Sequence, residues 1–227
     1  MTEENEEFKK LKDEFNEFTY IVSHDMRAPL RAISSITEWI EDDMDDSINE
    51  EIRNNFKLLK QKVTKMDFMI AGLVDLSRVE TRDLEISSFN VNKLANEVKE
   101  EVTDMFDHLT VVMDVPDVEI TTFKLKLYQV LLALLRNVGD HNADRVTVHV
   151  NANVSEKNLI LQIMDDGKHV DEDPKKWFRT FYSRSKKEEH IGIGLTLTKK
   201  IIENINGSIA IENNEPGLLI TLNWPLN

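Results

Sequence analysis

The stretch YIVSHDMRAPLRAI, residues Tyr20–Ile33, decides how this chain is interpreted, because it places a proline and a His-Asp pair inside a helical pattern. A proline within a helix removes one main-chain hydrogen bond and bends the helix axis. Pro29 follows His24 closely enough for this effect to fall on the turn that carries the histidine. His24 lies between two positions of an apolar seam, so we expect it to face solvent. An exposed imidazole beside the carboxylate of Asp25 is an accessible nucleophile with a neighbouring base, although an isolated surface pair of this kind usually has no function.

Apolar residues spaced alternately three and four apart continue on both sides of this stretch. The first run contains Phe8, Leu11, Phe15, Phe18, Val22, Met26, Leu30, Ile33 and Ile40, and the second contains Ile52, Phe56, Leu59, Val63, Met66, Ile70 and Leu73. This heptad spacing predicts two long helices. The acidic segment EDDMDDSINEE interrupts the pattern, and Ser47 with Glu50 has the form of a capping box that begins the second helix. The two helices are therefore expected to form an antiparallel hairpin.

A single hairpin with such seams leaves much of its apolar surface uncovered. Two hairpins would bury that surface in a four-helix bundle, and narrow seams in bundles are usually completed by a partner. We therefore predict a homodimer. The alternative is an intramolecular coiled coil that the second half of the chain caps.

The pattern changes from about Leu84, where short strands alternate with helices. The segments LEISSFN, RVTVHVNANV and NLILQIMDDG have strand character, whereas FKLKLYQVLLALLRNV and GLTLTKKIIENI have helical periodicity. This mixture predicts a sandwich with helices on one face of a mixed sheet. The predicted fold is thus a helical hairpin, residues 1–83, that dimerises into a four-helix bundle, followed by an α/β sandwich, residues 84–227.

Composition excludes several classes of function. The chain of 227 residues has a formal net charge of -14, which argues against binding to nucleic acid or to an anionic membrane surface. The absence of cysteine excludes disulfide scaffolds, cysteine nucleophiles and thiolate metal sites. The longest apolar runs are far shorter than the ~20 residues that span a bilayer, and the N-terminal MTEENEEFKK is unlike a signal peptide. We expect a cytoplasmic location, without membrane contact by this chain.

Glycine-containing segments in the second half provide candidate binding residues. Gly192 and Gly194 precede a helix, where main-chain amides can approach phosphate groups. Asp165 ends a strand, so it is either an acceptor for an exocyclic amine or an ordinary turn residue before Gly167. Asn137, near the end of a buried helix, is either a helix-end group or an oxygen ligand for a hard cation such as Mg²⁺.

Taken together, these segments resemble the sensor histidine kinases of two-component signalling, over nearly the whole chain. SHDMRAPLRAI is similar to the phosphoacceptor box of that family, and QVLLALLRNVGDHN is similar to its asparagine box. DDGKHV and HIGIGLTLTKKIIE resemble the two glycine boxes, and FRTFYS resembles the phenylalanine box. Each motif is weak alone, but all of them in the family's order form a specific combination.

The resemblance implies that the sandwich has the histidine kinase ATPase fold and binds ATP and Mg²⁺. It implies that Asp165, beside Gly167, holds the adenine amine, that Asn137 binds the metal, and that the amides of Gly192 and Gly194 hold phosphates. His141 occupies a position near the nucleotide in relatives, where it either stacks on the base or has an ordinary surface role.

The resemblance also implies the reaction. His24 would attack the γ-phosphate of ATP while Asp25 orients the imidazole and accepts its proton. The phosphoryl group would then pass to an aspartate on the receiver domain of a response regulator.

Four positions depart from the family pattern, all of them in the nucleotide unit: Ala133, Asp140, His169 and His190. Asp140 places a negative charge where a lysine or arginine commonly reaches the phosphates, and Lys186 and Lys187 are candidates to replace that cation. Two functions therefore stay open, a kinase with a modified lid or a dimeric phosphotransfer protein whose ATP-binding domain has degenerated. A scaffold that only dimerises would not need the His-Asp-x-x-x-Pro arrangement.

Overall fold

The computed structural model describes residues 3–43, 49–79, 85–168, 173–180, 182 and 192–226. These residues form two compact units. The first contains the described residues up to Arg78 together with Gly192 and Ile193, and the second contains the other described residues from Val79 onwards. Several predictions fall outside the described residues: the boundary at residues 83 and 84, and the roles of Ser47, His169, Lys186, Lys187 and His190.

The first unit is a helical hairpin of α1, Glu3–Asp43, and α2, Glu50–Arg78. Ion pairs of Arg27 with Asp67 and of Glu41 with Lys60 show that the helices run antiparallel, as predicted. Neither helix combines the length and the apolarity needed to cross a bilayer, and the same holds for the other helices in the described residues.

The start of α2 differs from the predicted capping box. Glu50 is the first residue of the helix, whereas the capping box would place it at the third helical position. The side-chain oxygen of Asn49 accepts a hydrogen bond from the amide of Glu51 at 3.0 Å. Asn49 is therefore the N-cap, because asparagine satisfies the free amides of the first turn as well as serine does.

The apolar repeat of α2 divides into two rows. One row faces α1 and contains the half-buried Phe56 and the buried Val63 and Ile70, which pack with Leu30 of α1. The other row is 40–43% exposed and contains Ile52, Leu59, Met66 and Leu73. A three-four repeat predicts an apolar face, but α1 covers only one of the two rows that make up this face.

Most of the predicted seam of α1 is not covered by α2, in keeping with the expectation that a single hairpin leaves much apolar surface exposed. Phe15, Phe18, Met26, Ile33 and Ile40 are exposed, whereas the buried positions besides Leu30 are polar: Thr19, Ser23 and Thr37. The hydroxyls of Thr19 and Thr37 donate to main-chain carbonyls one turn earlier, at 2.8 and 2.6 Å. Because these hydroxyls are satisfied within their own helix, burying them carries little cost.

The second unit is an α/β sandwich, which confirms the predicted fold class. The strands are β1 Ser87–Asn90, β2 Leu109–Asp114, β3 Glu119–Thr122, β4 Val146–Val154, β5 Asn158–Asp165, β6 Ser208–Asn213 and β7 Leu218–Pro225. Five of them form a mixed sheet with the order β2–β4–β5–β7–β6, in which the β2–β4 pair is parallel and the other pairs are antiparallel. The strands β1 and β3 form a separate two-stranded antiparallel sheet. The helices are α3 Val91–Met105, α4 Lys124–His141 and α5 Gly194–Asn204, together with a short 3-10 helix, Pro174–Phe178.

The core of this unit lies between the sheet and the three helices. Alternate residues of β4, Val146, Val148 and Val150, are buried, while His149 between them is exposed, as the period of a strand requires. Trp224 of β7 is fully buried, and its indole N–H donates to the hydroxyl of Thr122 at 2.8 Å. The partly polar tryptophan is thus fully satisfied inside the core.

Candidate functional site

His24 and Asp25 lie on the exposed surface of α1. Their side chains are 70% and 74% exposed, and Nδ1 of His24 lies 3.2 Å from Oδ1 of Asp25. The predicted exposure of His24 is therefore confirmed. When the imidazole proton is on Nδ1, it is donated to Asp25, and this tautomer leaves the lone pair of Nε2 available to an incoming group.

Pro29 lies inside α1, which continues without interruption from Glu3 to Asp43. A helical proline has no N–H to donate to the carbonyl four residues earlier, and here that carbonyl belongs to Asp25. The main chain beside His24 therefore has one helical hydrogen bond fewer than an ordinary turn.

Arg27 connects the turn of His24 to α2. Its Nε lies 3.6 Å from Oδ1 of Asp67, and the two side chains are 40% and 58% exposed. An exposed pair of this kind contributes at most about 1 kcal/mol to stability. Arg27 is three residues after His24, so the two side chains are neighbours on the helix surface and a positive charge lies close to the imidazole.

Asp165 is the buried last residue of β5. Its Oδ1 accepts a hydrogen bond from the amide of Gly167 at 2.9 Å, and the amide of Leu218 also donates to the carboxyl group. Burial raises the pKa of Asp165, while these two amides act in the opposite direction. A buried carboxylate that main-chain amides hold in place is well suited to accept a hydrogen bond from a ligand.

Gly217, at the start of the last strand, packs directly against Asp165. It has a left-handed φ of 86°, and a Cβ there would lie 2.1 Å from the carbonyl oxygen of Asp165 and 2.7 Å from its Oδ1. A residue with a side chain would therefore displace the carboxylate or the turn. This role of Gly217 could not be predicted from the sequence, because Pro216-Gly217 indicates a turn but not which residue the turn contacts.

Asn137 and His141 lie one turn apart near the end of α4, so they share a face of the helix. Asn137 is half-buried and His141 is exposed. Asn142 caps the helix through main-chain and side-chain bonds to the carbonyl of Val138, at 3.2 and 3.0 Å. His108 lies against the same end, with its Nε2 3.0 Å from the carbonyl oxygen of Gly139.

The two predicted phosphate-binding glycines lie at and just before the start of α5: Gly194 is its first residue, and Gly192 lies two residues earlier. Gly192 has a φ of 72°, in the left-handed region that favours glycine. Gly194 begins the helix and is exposed, and a Cβ there would meet no described atom within 4 Å. Packing against the described residues therefore does not require a small residue at Gly194.

Two sequence families match most of the chain. Residues 16–82 match the His Kinase A (phospho-acceptor) domain. Residues 123–227 match the histidine kinase-, DNA gyrase B-, and HSP90-like ATPases. The first contains His24, and the second contains every candidate nucleotide-binding residue.

Curated relatives resemble the chain over nearly its full length. The sensor histidine kinase YcbM of Bacillus subtilis is 27% identical in an alignment of 222 residues that covers 91% of this chain and 70% of YcbM. The sensor protein kinase WalK of Staphylococcus aureus is 27% identical in an alignment of 235 residues that covers 95% of this chain and 55% of WalK. The methanogenesis regulatory histidine kinase FilI of Methanothrix harundinacea is 26% identical, over 89% of this chain and 23% of FilI.

Solved structures share the fold. The histidine kinase AdeS of Acinetobacter baumannii matches with a TM-score of 0.62 and 20% identity, over 90% of this chain and 98% of that one. Full-length ShkA in complex with AMPPNP matches with a TM-score of 0.67 and 17% identity, over 92% of this chain and 46% of that one. With a phospho-acceptor domain and an ATPase domain matched over most of its length, the chain belongs to the sensor histidine kinases.

Proposed function

We propose that this chain is the catalytic portion of a sensor histidine kinase that transfers the γ-phosphoryl group of ATP to His24 and then to an aspartate on the receiver domain of a response regulator. The observation that carries the proposal is the exposed His24, whose Nδ1 faces Asp25 at 3.2 Å, in a chain that also holds the buried acceptor Asp165. The exposed imidazole of His24 would supply the nucleophile for phosphoryl transfer. The carboxylate of Asp165 would supply the hydrogen-bond acceptor for the adenine amine.

The nucleotide would bind to the sandwich. Asp165 would accept a hydrogen bond from the exocyclic amine of adenine, and the amide of Gly167 would keep that carboxylate in place. The amides at Gly192 and Gly194 would hold phosphate oxygens at the start of α5. Lys186 and Lys187 would add positive charge there, which the acidic Asp140 does not supply.

Mg²⁺ would accompany the nucleotide. The described part of the chain gathers no group of three or more His, Asp or Glu side chains that could hold a metal ion by themselves. A hard cation here would therefore take most of its oxygen ligands from the phosphates and from water, with the Asn137 amide oxygen as the protein's contribution. The ion would neutralise phosphate charge during transfer.

His24 would act as the nucleophile through Nε2. A bond forms between Nε2 and the γ-phosphorus while the bond from that phosphorus to the bridging oxygen breaks, and ADP leaves with the electron pair. Asp25 accepts the proton from Nδ1, so the phosphorylated ring is a neutral imidazole and not an imidazolium cation. In the second step the phosphorus–nitrogen bond breaks, and a carboxylate oxygen of the receiver aspartate takes the phosphoryl group.

The chain would act as a homodimer. The outer row of α2, Ile52, Leu59, Met66 and Leu73, is 40–43% exposed, and such a continuous apolar row is typical of an interface. On α1 the exposed Ile33 lies about 180° around the helix from His24, at about 100° per residue. A four-helix bundle built on these faces would leave His24 accessible to the nucleotide unit and to a receiver domain.

Incubation with γ-labelled ATP and Mg²⁺ tests the proposal. The wild-type chain is expected to acquire acid-labile label, whereas the His24→Gln and Asp165→Asn variants are not. Label that persists in His24→Gln would overturn the assignment of the phosphoacceptor. Absence of label from ATP, together with uptake from a phosphorylated receiver domain, would support the phosphotransfer function instead, and calorimetric titration with ATP would show whether nucleotide binds at all.

A further inference from the structure

Asn142 uses both ends of its side-chain amide to join two segments of the nucleotide unit. Its Nδ2 donates to the carbonyl of Val138 in the last turn of α4 at 3.0 Å. Its Oδ1 accepts from the main-chain amide of Lys168, in the loop after β5, at 3.4 Å. One side chain thus connects the end of the helix that carries Asn137 to the loop that follows Asp165.

Gly167 lies between the Asn142 amide and the Asp165 carboxylate. A Cβ at Gly167 would lie 2.5 Å from Oδ1 of Asn142 and 2.7 Å from Oδ1 of Asp165. The amide of the same glycine donates to Oδ1 of Asp165 at 2.9 Å. Any shift of the loop away from Asn142 therefore moves the amide that orients the carboxylate.

Asp165 is also held by the start of β7 and the residue before it. Gly217 packs against the carbonyl oxygen of Asp165, and the amide of Leu218 donates to its carboxyl group. The amide of Leu218 is present whatever the side chain at that position, whereas the contact through Asn142 depends on the residue type. Asn142 is therefore a position at which the sequence can adjust the orientation of the carboxylate.

We propose that Asn142 is a positioning residue for recognition of the base, and that it supports the discrimination of ATP from GTP through Gly167 and Asp165. The inference rests on the proposed nucleotide site. Adenine presents an amine to the carboxylate, whereas guanine presents a carbonyl oxygen at the same ring position, so an oriented acceptor favours ATP and disfavours GTP. Asn142 does not touch the nucleotide in this arrangement, because it acts through the loop.

The test is calorimetric titration of the full chain with ATP and with GTP, for wild type, Asn142→Ala, Asn142→Ser and the control Asn151→Ala. Asn151 is an exposed asparagine on β4, so its removal is expected to change neither affinity. For Asn142→Ala the affinity for ATP is expected to fall by about ten- to a hundredfold, the cost of a recognition group misplaced by about 1 Å. The affinity for GTP is expected to change much less, so the ratio of the two falls. Asn142→Ser keeps a polar group but is shorter than asparagine, whose Oδ1 already lies 3.4 Å from the Lys168 amide, so it is also expected to lose most of the preference.

The outcomes separate this inference from the proposed function. A wild-type chain that binds no ATP overturns both. A wild-type chain that prefers ATP, with the same preference in both Asn142 variants, overturns only the inference. Equal losses of ATP and GTP affinity would show a general structural role and would also overturn it. Should Asn142→Ala fail to fold, the ratio measured for Asn142→Ser decides, because an unchanged ratio there contradicts positioning by this side chain.

Discussion

Lys126 donates a hydrogen bond from Nζ to the main-chain carbonyl of Val79 at 2.9 Å, inside the core of the second unit. Lys126 is 2% exposed and Val79 is 6% exposed, and the ammonium also lies 5.8 Å from the centre of the Phe123 ring. A buried ammonium is costly unless strong acceptors surround it. Val79 directly follows the last residue of α2. The bond therefore attaches the first residue of the second unit to α4 of the same unit.

Replacing Lys126 by methionine is expected to lower the free energy of unfolding by about 1 kcal/mol, because the buried Val79 carbonyl loses its donor. An unsatisfied buried carbonyl costs about 1–3 kcal/mol. The expected loss of stability is at the low end of that range, because methionine also removes the cost of burying the charged ammonium group. Urea denaturation of wild type and Lys126→Met measures the difference. Lys124→Met, in the same turn of α4 but only half-buried, is the matched control and should change stability by about 0.5 kcal/mol or less. A Lys126→Met protein as stable as wild type would show that the bond does not stabilise the fold.

The stability contribution of Asp165 is expected to depend on pH in the direction opposite to an ordinary ion-paired aspartate. Burial raises the pKa of this carboxyl group above its usual 3.8, so the folded state favours the protonated form. That contribution is fully present below pH ~3.9, the unfolded value, and is lost as the pH rises through the folded pKa. Asp165→Asn mimics the neutral form, so its stability relative to wild type should increase as the pH rises above the unfolded pKa of about 3.9. Denaturant titrations at several pH values measure this, and a relative stability that falls with pH would contradict it.

Tyr128 is expected to stay protonated well above the ordinary tyrosine range. Its hydroxyl donates to the carboxylate of Glu101, and this hydrogen bond is the main cause that raises the pKa of Tyr128 to about 12. The contact therefore stabilises the fold below pH ~10, the unfolded value, and this contribution disappears as the pH rises through about 12. Tyrosinate absorbance should show Tyr128 titrating at lower pH in Glu101→Gln but not in the control Glu100→Gln, with Tyr128→Phe identifying the signal. Equal titration curves for the two glutamine variants would count against the assignment.

Asn206 lies two residues after the end of α5 and has a left-handed conformation, with a φ of 61°. The amide of Asn206 donates to the carbonyl of Glu203 at 3.0 Å, and the amide of Gly207 donates to that of Ile202 at 2.9 Å, which is the Schellman pattern. Asn206→Ala should destabilise the protein by about 1 kcal/mol, because alanine adopts this conformation at a cost. Asn206→Gly should leave stability unchanged or raise it slightly. Thermal denaturation of both variants distinguishes them, and an alanine variant as stable as the glycine variant would contradict the prediction.

The outer row of α2 is expected to determine the oligomeric state. Replacing Leu59 and Met66 together by lysine places two charges on the proposed interface, where burying unpaired ammonium groups is costly. Light scattering at increasing protein concentration should show a dimer for wild type and a monomer for the double variant. Asn54→Lys, which places a lysine at an exposed position about 140° around the helix from Leu59, is the control and should remain dimeric. A wild-type monomer at all concentrations would refute the bundle.

Most of the fold could be predicted from local pattern. The heptad spacing predicted both helices of the hairpin, and the alternation in RVTVHVNANV and NLILQIMDDG predicted adjacent strands that the structure pairs as β4 and β5. The exposure of His24 also followed from helical geometry. These features depend on residues close together in the chain, where a period of 3.6 or 2 directly determines which face a side chain occupies.

Contacts between distant segments were not predictable in the same way. The apolar spacing predicted one seam on each helix of the hairpin. In the structure only some residues of each seam contact the other helix. Sequence motifs identified Asp165 and Gly167 as candidates but not Gly217 or Asn142, which contact that site from elsewhere in the chain. Glycine and asparagine occur in many turns, so their identity alone does not reveal which residue they face.

The amino-acid sequence by itself determined the two kinds of unit, the family resemblance and the candidate phosphoacceptor His24, because periodicity and motif order are properties of the chain. The tertiary structure alone decided that Lys126 holds Val79, that Gly217 packs on Asp165 and that the outer row of α2 is left open. The physical reason is that burial and hydrogen bonding depend on distances through space, and residues far apart in the chain acquire those distances only when the chain folds.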